Sequence, residues 1–193
     1  SIYSLASPCN IDALIIWASS LAGAVGMDDI AGFVREKADD LPVASIGMAV
    51  DGVASVNFDA YSGMASEISH FIGVHGQRKI AFIRGPSTHG SAEERFRAYC
   101  DELDKAGIAY DDALVSSPRP WAEGEASIRE LVEERGLVPG KDFTALAAAS
   151  DLLLLGAQGY LVSHGVRIPD DLITGGFNGN EDNLLMSVEP TTV

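Results

Sequence analysis

Short apolar segments alternate with helical patterns along the whole chain, and this alternation constrains the fold more than any other feature. Most of the segments of strand length are apolar on both faces, as strands buried in a parallel sheet are. The predicted strands cover residues 13–17, 43–47, 55–58, 79–83, 144–148 and 172–177. Helical patterns lie between them, at residues 28–39, 62–74, 92–106, 122–135 and 151–164. The sequence therefore predicts an α/β protein with doubly wound parallel sheets.

Composition and charge exclude several classes of protein. The 193 residues suffice for one large domain or two small lobes, and 47% of them are hydrophobic. No apolar run approaches the ~20 residues that span a bilayer, and no signal-peptide pattern is visible. The formal net charge of −15 makes the surface repel phosphate backbones and anionic membranes. The chain itself is therefore not expected to bind nucleic acid or a membrane.

Motifs of catalysis and metal binding are lacking. The sequence contains no Gly-x-Ser-x-Gly turn, no phosphate loop ending in Gly-Lys-Ser/Thr and no His-Glu-x-x-His helix. Its four histidines have no second ligand at metal spacing. Cys9 and Cys100 lie far apart and are interpreted as two thiols, although a single disulfide remains an alternative. We expect no enzyme activity, no metal and no cofactor.

Polar residues follow several of the predicted strands at their carboxyl ends. In an open parallel sheet these positions line the ligand crevice. Asp59, Tyr61 and Ser62 follow one strand, although Asp59 and Ser62 could equally start the next helix. Ser150 follows another strand, and it can also cap the helix that comes next. Asn178 ends a third strand, where a ligand contact and a turn residue are competing interpretations.

Arg95 and Trp121 are the two larger candidate ligand-binding residues. Arg95 lies one turn into a predicted helix, behind a short polar loop. A surface ion pair with Glu93 or Glu94 is a weak alternative, since neither has the helical i,i+4 spacing. Trp121 stands alone in a polar loop, and its flat face suits a sugar or a base. It could equally cover the core beneath a long loop.

Several segments, taken in order, resemble the ligand-binding core of the LacI/GalR transcription regulators. Residues 78–86, RKIAFIRGP, match the family strand "RRIAFIGGP" almost letter for letter. Residues 147–157 resemble "F-A-A-N-D-x-M-A-x-G-A", and residues 167–178 resemble "R-V-P-E-D-V-S-V-V-G-F-D-D". The likeness covers nearly the whole chain. It implies the type I periplasmic-binding-protein fold, with a partial first lobe at 1–76, a second lobe at 77–183 and a crossover back at 184–193.

The resemblance also implies a function and a set of contacts. A small polar effector, sugar-like or nucleoside-like, would bind between the two lobes. Arg95 would hold its hydroxyls or a carboxylate, Trp121 would stack on it, and Ser62, Ser150 and Asn178 would add contacts. This chain departs from the family where Ser150 replaces the usual Asn and Asn178 replaces an Asp. Those two departures weaken the expectation that the effector is a standard sugar.

The same resemblance implies partners that lie outside this chain. DNA would be bound only by a helix-turn-helix headpiece, and the protein would act as a cytoplasmic homodimer. The family domain has two further strand–helix units at its start and a terminal strand and helix, and these are not found here. Two alternatives remain, a sensory domain of a diguanylate cyclase or histidine kinase and a solute-binding protein of a transporter. Residues 75–79 and 92–95 together resemble motifs of similar domains that stand beside such cyclase or kinase modules.

Overall fold

The structure is a computed structural model that describes residues 5–181, 183 and 186–193, without the side chains of residues 23 and 24. The chain divides into two compact units. The first contains the described residues up to Asp59, together with Thr88–Ser91. The second contains Ala60–Ser87 and the described residues from Ala92 onwards.

The first unit is a three-stranded parallel sheet with helices on one face. Its strands stand in the order β1-β2-β3, and Ile16 of β1 lies beside the fully buried Ser45 of β2. The elements are β1 (Leu14–Trp17), α1 (Ala18–Val25), α2 (Met27–Ala38), β2 (Val43–Ile46) and β3 (Ala54–Val56). Ile16 packs with residues of both helices in a small core. Ile15 and Trp17 point away from that core and are exposed, because successive side chains of a strand alternate between faces.

The second unit is a larger four-stranded parallel sheet in the order β4-β5-β6-β7. Its first elements are α3 (Ala60–Gly73), β4 (Ile80–Ile83), α4 (Gly90–Lys105), a 3₁₀ turn (Asp112–Leu114) and α5 (Gly124–Arg129). A π-helical turn (Glu130–Glu134), β5 (Ala145–Ala148), α6 (Asp151–Ser163), β6 (Ile173–Gly176) and β7 (Thr191–Thr192) follow. All eight residues of β4 and β5 are buried, as both-face apolar strands require. The predicted α/β class with parallel sheets is confirmed.

Helix α3 belongs to the second unit, although the sequence predicted the lobe boundary after Gly76. Met64, Ile68 and Phe71 of this helix are fully inaccessible and join the same core as β4 and β5. The i, i+4, i+7 spacing of these three residues buries one face of the helix against the sheet. Compactness does not define a functional lobe, so the proposed lobes stay a prediction. Part of the predicted crossover, residues 184 and 185, lies outside the described residues.

Candidate functional site

The guanidinium of Arg95 is the centre of a polar cluster at the carboxyl ends of the second sheet. Helix α4 places Arg95 on its buried face, and the residue is only 6% exposed. Its Nη1 donates a hydrogen bond of 2.5 Å to the carbonyl of Ala149, directly after β5. Its Nη2 lies 3.5 Å from Oδ1 of Asn178, two residues beyond β6. Two strand ends therefore converge on one cation, as the position of ligand crevices in such sheets leads us to expect.

Two aromatic rings flank this guanidinium. The Phe177 ring lies 3.7 Å from the guanidinium carbon, and the Trp121 ring lies 5.9 Å from it. The Trp121 indole rests against Gly85, just beyond β4, where an added Cβ would come within 2.6 Å of the ring. Trp121 is half-buried and packs at the margin of the core. Its position is therefore compatible with both interpretations made from the sequence, covering the core and stacking on a ligand.

Arg95 is a desolvated cation. Burial lowers its pKa to about 10, and the charge of Asp151 partly opposes that shift. The guanidinium is consequently still protonated at neutral pH. Its Nε is buried and has no hydrogen-bond partner among the described residues. A buried donor without an acceptor costs stability, and such costs are tolerated most often at functional sites.

Asn178 combines the two roles that the sequence left open. Its φ of 108° is the only positive value at a non-glycine among the described residues, so it is a turn residue. Its backbone N–H donates to the carbonyl of Val193 at 2.8 Å, which joins the chain end to the turn. Its side chain is exposed and presents Oδ1 to Arg95. The exposed side-chain amide is therefore accessible to a ligand.

Ser150 serves first as a helix cap. Its Oγ accepts a hydrogen bond of 3.3 Å from the N–H of Leu153, and the residue is 3% exposed. The predicted capping of α6 is therefore confirmed. A direct contact between Ser150 and a ligand stays a prediction.

The next residue, Asp151, is a buried carboxylate that organises the loop after β6. It accepts hydrogen bonds from the N–H of Asn180 at 3.0 Å and from Nδ2 of Asn183 at 3.1 Å. It also accepts from the hydroxyl of Thr192 in β7 at 3.0 Å. Asp151 thus holds the turn that carries Asn178 against the N-terminus of α6, where a negative charge is favourable.

The remaining predicted residues are Asp59, Tyr61 and Ser62, and of these Tyr61 makes contacts of its own with helix α4. Tyr61 donates its hydroxyl to Asp101 on α4 at 2.8 Å and stacks against the Arg97 guanidinium at 4.9 Å. That partnership occupies the one polar atom of its side chain. Asp59 and Ser62 are exposed at the start of α3. Binding of a ligand by any of the three stays a prediction.

Sequence reasoning overlooked Glu67, which is buried in the second unit. Glu67 lies between Met64 and Phe71 on the apolar face of α3, and it is 1% exposed. Neither of its carboxyl oxygens has a hydrogen-bond partner among the described residues. Its Oε1 lies against Gly175 of β6, where an added Cβ would come within 2.2 Å of it. The signal in the sequence was that Glu67 comes three residues after Met64, at a position where the helical pattern places an apolar side chain.

We expect Glu67→Gln to stabilise the protein increasingly as the pH rises. Burial and the charge of Asp151 raise the pKa of Glu67 well above its ordinary 4.5, while Arg95 opposes them weakly. The folded state then retains a proton that the unfolded state releases, so the wild-type protein loses stability as pH rises above about 4.5. Urea unfolding at pH 4.5, 6 and 7.5 measures the difference.

The exposed Glu134 supplies the control for that measurement, since Glu134→Gln makes the same chemical change on the surface and should alter stability by less than about 0.5 kcal/mol. A Glu67→Gln variant whose advantage does not grow with pH would contradict a neutral, buried Glu67.

The described part of the chain has no cluster of metal ligands and no disulfide. No group of three or more histidine, cysteine or acidic residues is placed there to hold a metal ion. Cys9 and Cys100 are both free thiols. No helix among the described residues is long and apolar enough to cross a bilayer.

An all-parallel α/β domain with a polar and aromatic cluster at its strand ends defines a class of small-molecule binding proteins. Residues 68–193 match the model of the periplasmic binding protein-like domain, and the chain belongs to that family. The regulator CelR of Thermobifida fusca is 33% identical over 134 residues, which are 69% of this chain and 38% of that protein. GalR of Escherichia coli is 32% identical over 58% of this chain and 30% of that protein.

Solved structures agree with these relatives. The CelR–cellobiose complex matches with a TM-score of 0.80 and 26% identity, over 99% of this chain and 56% of that one. A LacI-family regulator from Mycobacterium smegmatis matches with a TM-score of 0.78 and 25% identity, over 98% of this chain and 68% of that one. The resemblance to the LacI/GalR regulators predicted from the sequence is confirmed. This chain spans only about a third of the length of the two curated relatives.

Proposed function

We propose that this chain senses a small polar effector for a bacterial transcription regulator of LacI type. The observation that carries the proposal is the desolvated Arg95, held between Phe177 and Trp121 with one donor unsatisfied. A protonated guanidinium, aromatic faces and an exposed side-chain amide are the groups that recognise hydroxyl-bearing rings. The transcription regulators among its relatives, one of them solved with cellobiose, favour regulation over transport or kinase and cyclase signalling.

The proposal extends to the protein in which this chain acts. DNA is bound by a basic headpiece outside these residues, because a chain with a net charge of −15 is poorly suited to contact phosphates. The protein is a cytoplasmic homodimer and is not an enzyme. The regulators it resembles support that reading, as does the lack of a nucleophile–base pair in the sequence.

A thermal-shift screen against neutral sugars, acidic sugars and nucleosides tests the proposal. A ligand that binds only the folded state raises the melting temperature by mass action. We expect a hit whose affinity falls about 10- to 100-fold in Arg95→Met, since a hydrogen bond to a charged donor contributes about 1.5–3 kcal/mol. Calorimetric titration of the hit measures that loss.

Arg97→Met is the matched control for Arg95→Met. Arg97 lies on the same helix, is exposed and stacks on Tyr61, outside the cluster around Arg95. We expect it to bind the hit as tightly as the wild-type protein does. Equal affinity in all three proteins would show that the ligand binds elsewhere, and a folded protein without any hit would contradict the sensing function.

A further inference from the structure

One edge of the Arg95 guanidinium has no adequate acceptor. Nη1 is committed to the carbonyl of Ala149 at 2.5 Å. Nε and Nη2 form the opposite edge, on which two N–H bonds point in parallel. Nε has no partner, and Nη2 has only the Asn178 oxygen at 3.5 Å, the outer limit of a hydrogen bond. This edge can therefore accept a better partner without breaking a strong contact.

No carboxylate forms an ion pair with Arg95 within the described ranges. Asp151 is near enough to act through its charge, but it already accepts three hydrogen bonds from other groups. Glu67 has no donor on either oxygen, which favours its neutral form. Glu94 is exposed on the helix surface. Acidic residues therefore lie near the Arg95 cation, but none of those described forms an ion pair with it.

The group that faces the open edge is neutral. Asn178 offers an amide there, and its side chain is exposed while the guanidinium behind it is desolvated. Burial lowers the pKa of Arg95 to about 10, so the environment disfavours the charge that it holds. A ligand anion on the same edge would offset that cost, because paired charges are stronger in a desolvated site.

We propose that the effector carries an anionic group, a carboxylate or a phosphate, that binds the Nε–Nη2 edge of Arg95 in place of the Asn178 oxygen. The two parallel N–H bonds match the two oxygens of such a group. The displaced Asn178 amide is free to donate to a neighbouring ligand oxygen. This inference rests on the proposed function, and it narrows the effector from polar ring compounds to acidic ones.

Matched pairs of neutral and acidic probes test the inference on the purified protein. The pairs are glucose with glucuronate, galactose with galacturonate, cellobiose with cellobionate, and ribose with ribose 5-phosphate. Thermal shift ranks the probes, and calorimetry at about 150 mM salt, where long-range charge effects are screened, measures dissociation constants. We expect the acidic member of the best pair to bind about tenfold more tightly than the neutral one, because the anion adds an ion pair to the hydrogen bonds that the guanidinium donates to either probe. If the best acidic probe is one of the sugar acids, the anionic group is a carboxylate; if it is ribose 5-phosphate, the group is a phosphate.

The variant Asn178→Asp supplies the decisive comparison. It places a permanent carboxylate on the same edge, and asparagine and aspartate both tolerate a positive φ. We expect the ratio of the neutral probe's dissociation constant to that of its acidic partner to fall by about tenfold or more. Asn180→Asp, two residues further along the exposed turn, adds the same charge at a side chain that forms no hydrogen bond with Arg95 in the described structure, and it should leave the preference unchanged.

The possible outcomes distinguish a failure of the anionic inference from a failure of the sensing function. A neutral sugar that binds as tightly as its acidic partner overturns the anionic inference and leaves the sensing function standing. Acidic preference that persists unchanged in Asn178→Asp also overturns it, since the anion then binds elsewhere. If none of the probes binds and the screened nucleosides also fail, the sensing function falls and takes this inference with it.

Discussion

Replacing Gly124 by alanine is expected to destabilise the second unit severely. Helices α5 and α6 cross there, and a Cβ at Gly124 would lie 1.8 Å from the carbonyl oxygen of Leu153. Gly156 meets the opposite helix in the same way, with its added Cβ 2.8 Å from the N–H nitrogen of Glu125. The atoms in the way belong to the backbone, so no side-chain rotation relieves the clash. We expect a loss of about 3 kcal/mol or more in the free energy of unfolding, measured by urea denaturation.

Gly159→Ala is the control for this substitution. Gly159 lies on α6 as well, three residues beyond Gly156, but an added Cβ would meet nothing within 4 Å. The change should therefore stabilise the helix by about 0.5–1 kcal/mol, because glycine is a poor helix former. A Gly124→Ala protein as stable as the wild type would contradict the close crossing of the two helices.

Replacing Asp151 by alanine is the second change with a large expected effect. Asn180, Asn183 and Thr192 would each lose the acceptor that now receives their hydrogen bonds. The Asn183 amide is buried, and leaving it without a partner costs about 1–3 kcal/mol; with the two partly buried hydrogen bonds added, we expect a total loss of about 3 kcal/mol. Hydrogen exchange should also accelerate at Asn178, Asn180 and β7, because Asp151 holds these segments together.

Asp170→Ala is the matched control for Asp151→Ala. Asp170 is exposed, and its ion pair with Arg167 is long, at 4.0 Å, so its loss should change stability by less than about 0.5 kcal/mol. Equal stabilities of the Asp151 and Asp170 variants would show that the loop after β6 is held by other contacts. We also expect Asp151→Ala to weaken effector binding, since the turn carrying Asn178 loses its anchor.

The strands of this fold could be predicted from the sequence with some accuracy. The runs at 79–83 and 144–148 became β4 and β5, within one residue of the predicted limits, because a strand apolar on both faces has few alternatives. Helix α1 and strand β7 were missed. Helix α1 follows β1 without a turn residue between them, and β7 has only two residues, both threonine, and depends on pairing with β6.

The candidate site could be predicted only in part. The sequence proposed Arg95, Trp121 and Asn178, and the structure brings these three together. Phe177 was predicted as the end of a strand, and its ring proves to lie closer to Arg95 than Trp121 does. Glu67 was overlooked, and the hydroxyl of Tyr61 contacts Asp101. Each of these differences concerns which group a side chain contacts. The hydrophobic periodicity of the sequence predicts the buried face of a helix or strand, and it does not predict such contacts.

The sequence by itself determined the class of fold, the N-terminal cap of α6 and the family, because these depend on local patterns and ordered motifs. Only the tertiary structure decided which groups surround Arg95 and which of them carry charge. The hydrogen-bond partners of that guanidinium lie 54 and 83 residues further along the chain. Contacts over such separations form only when α4 packs against the sheet and the turn after β6 closes over it. The open edge of Arg95, from which an acidic effector is inferred, is a product of that packing.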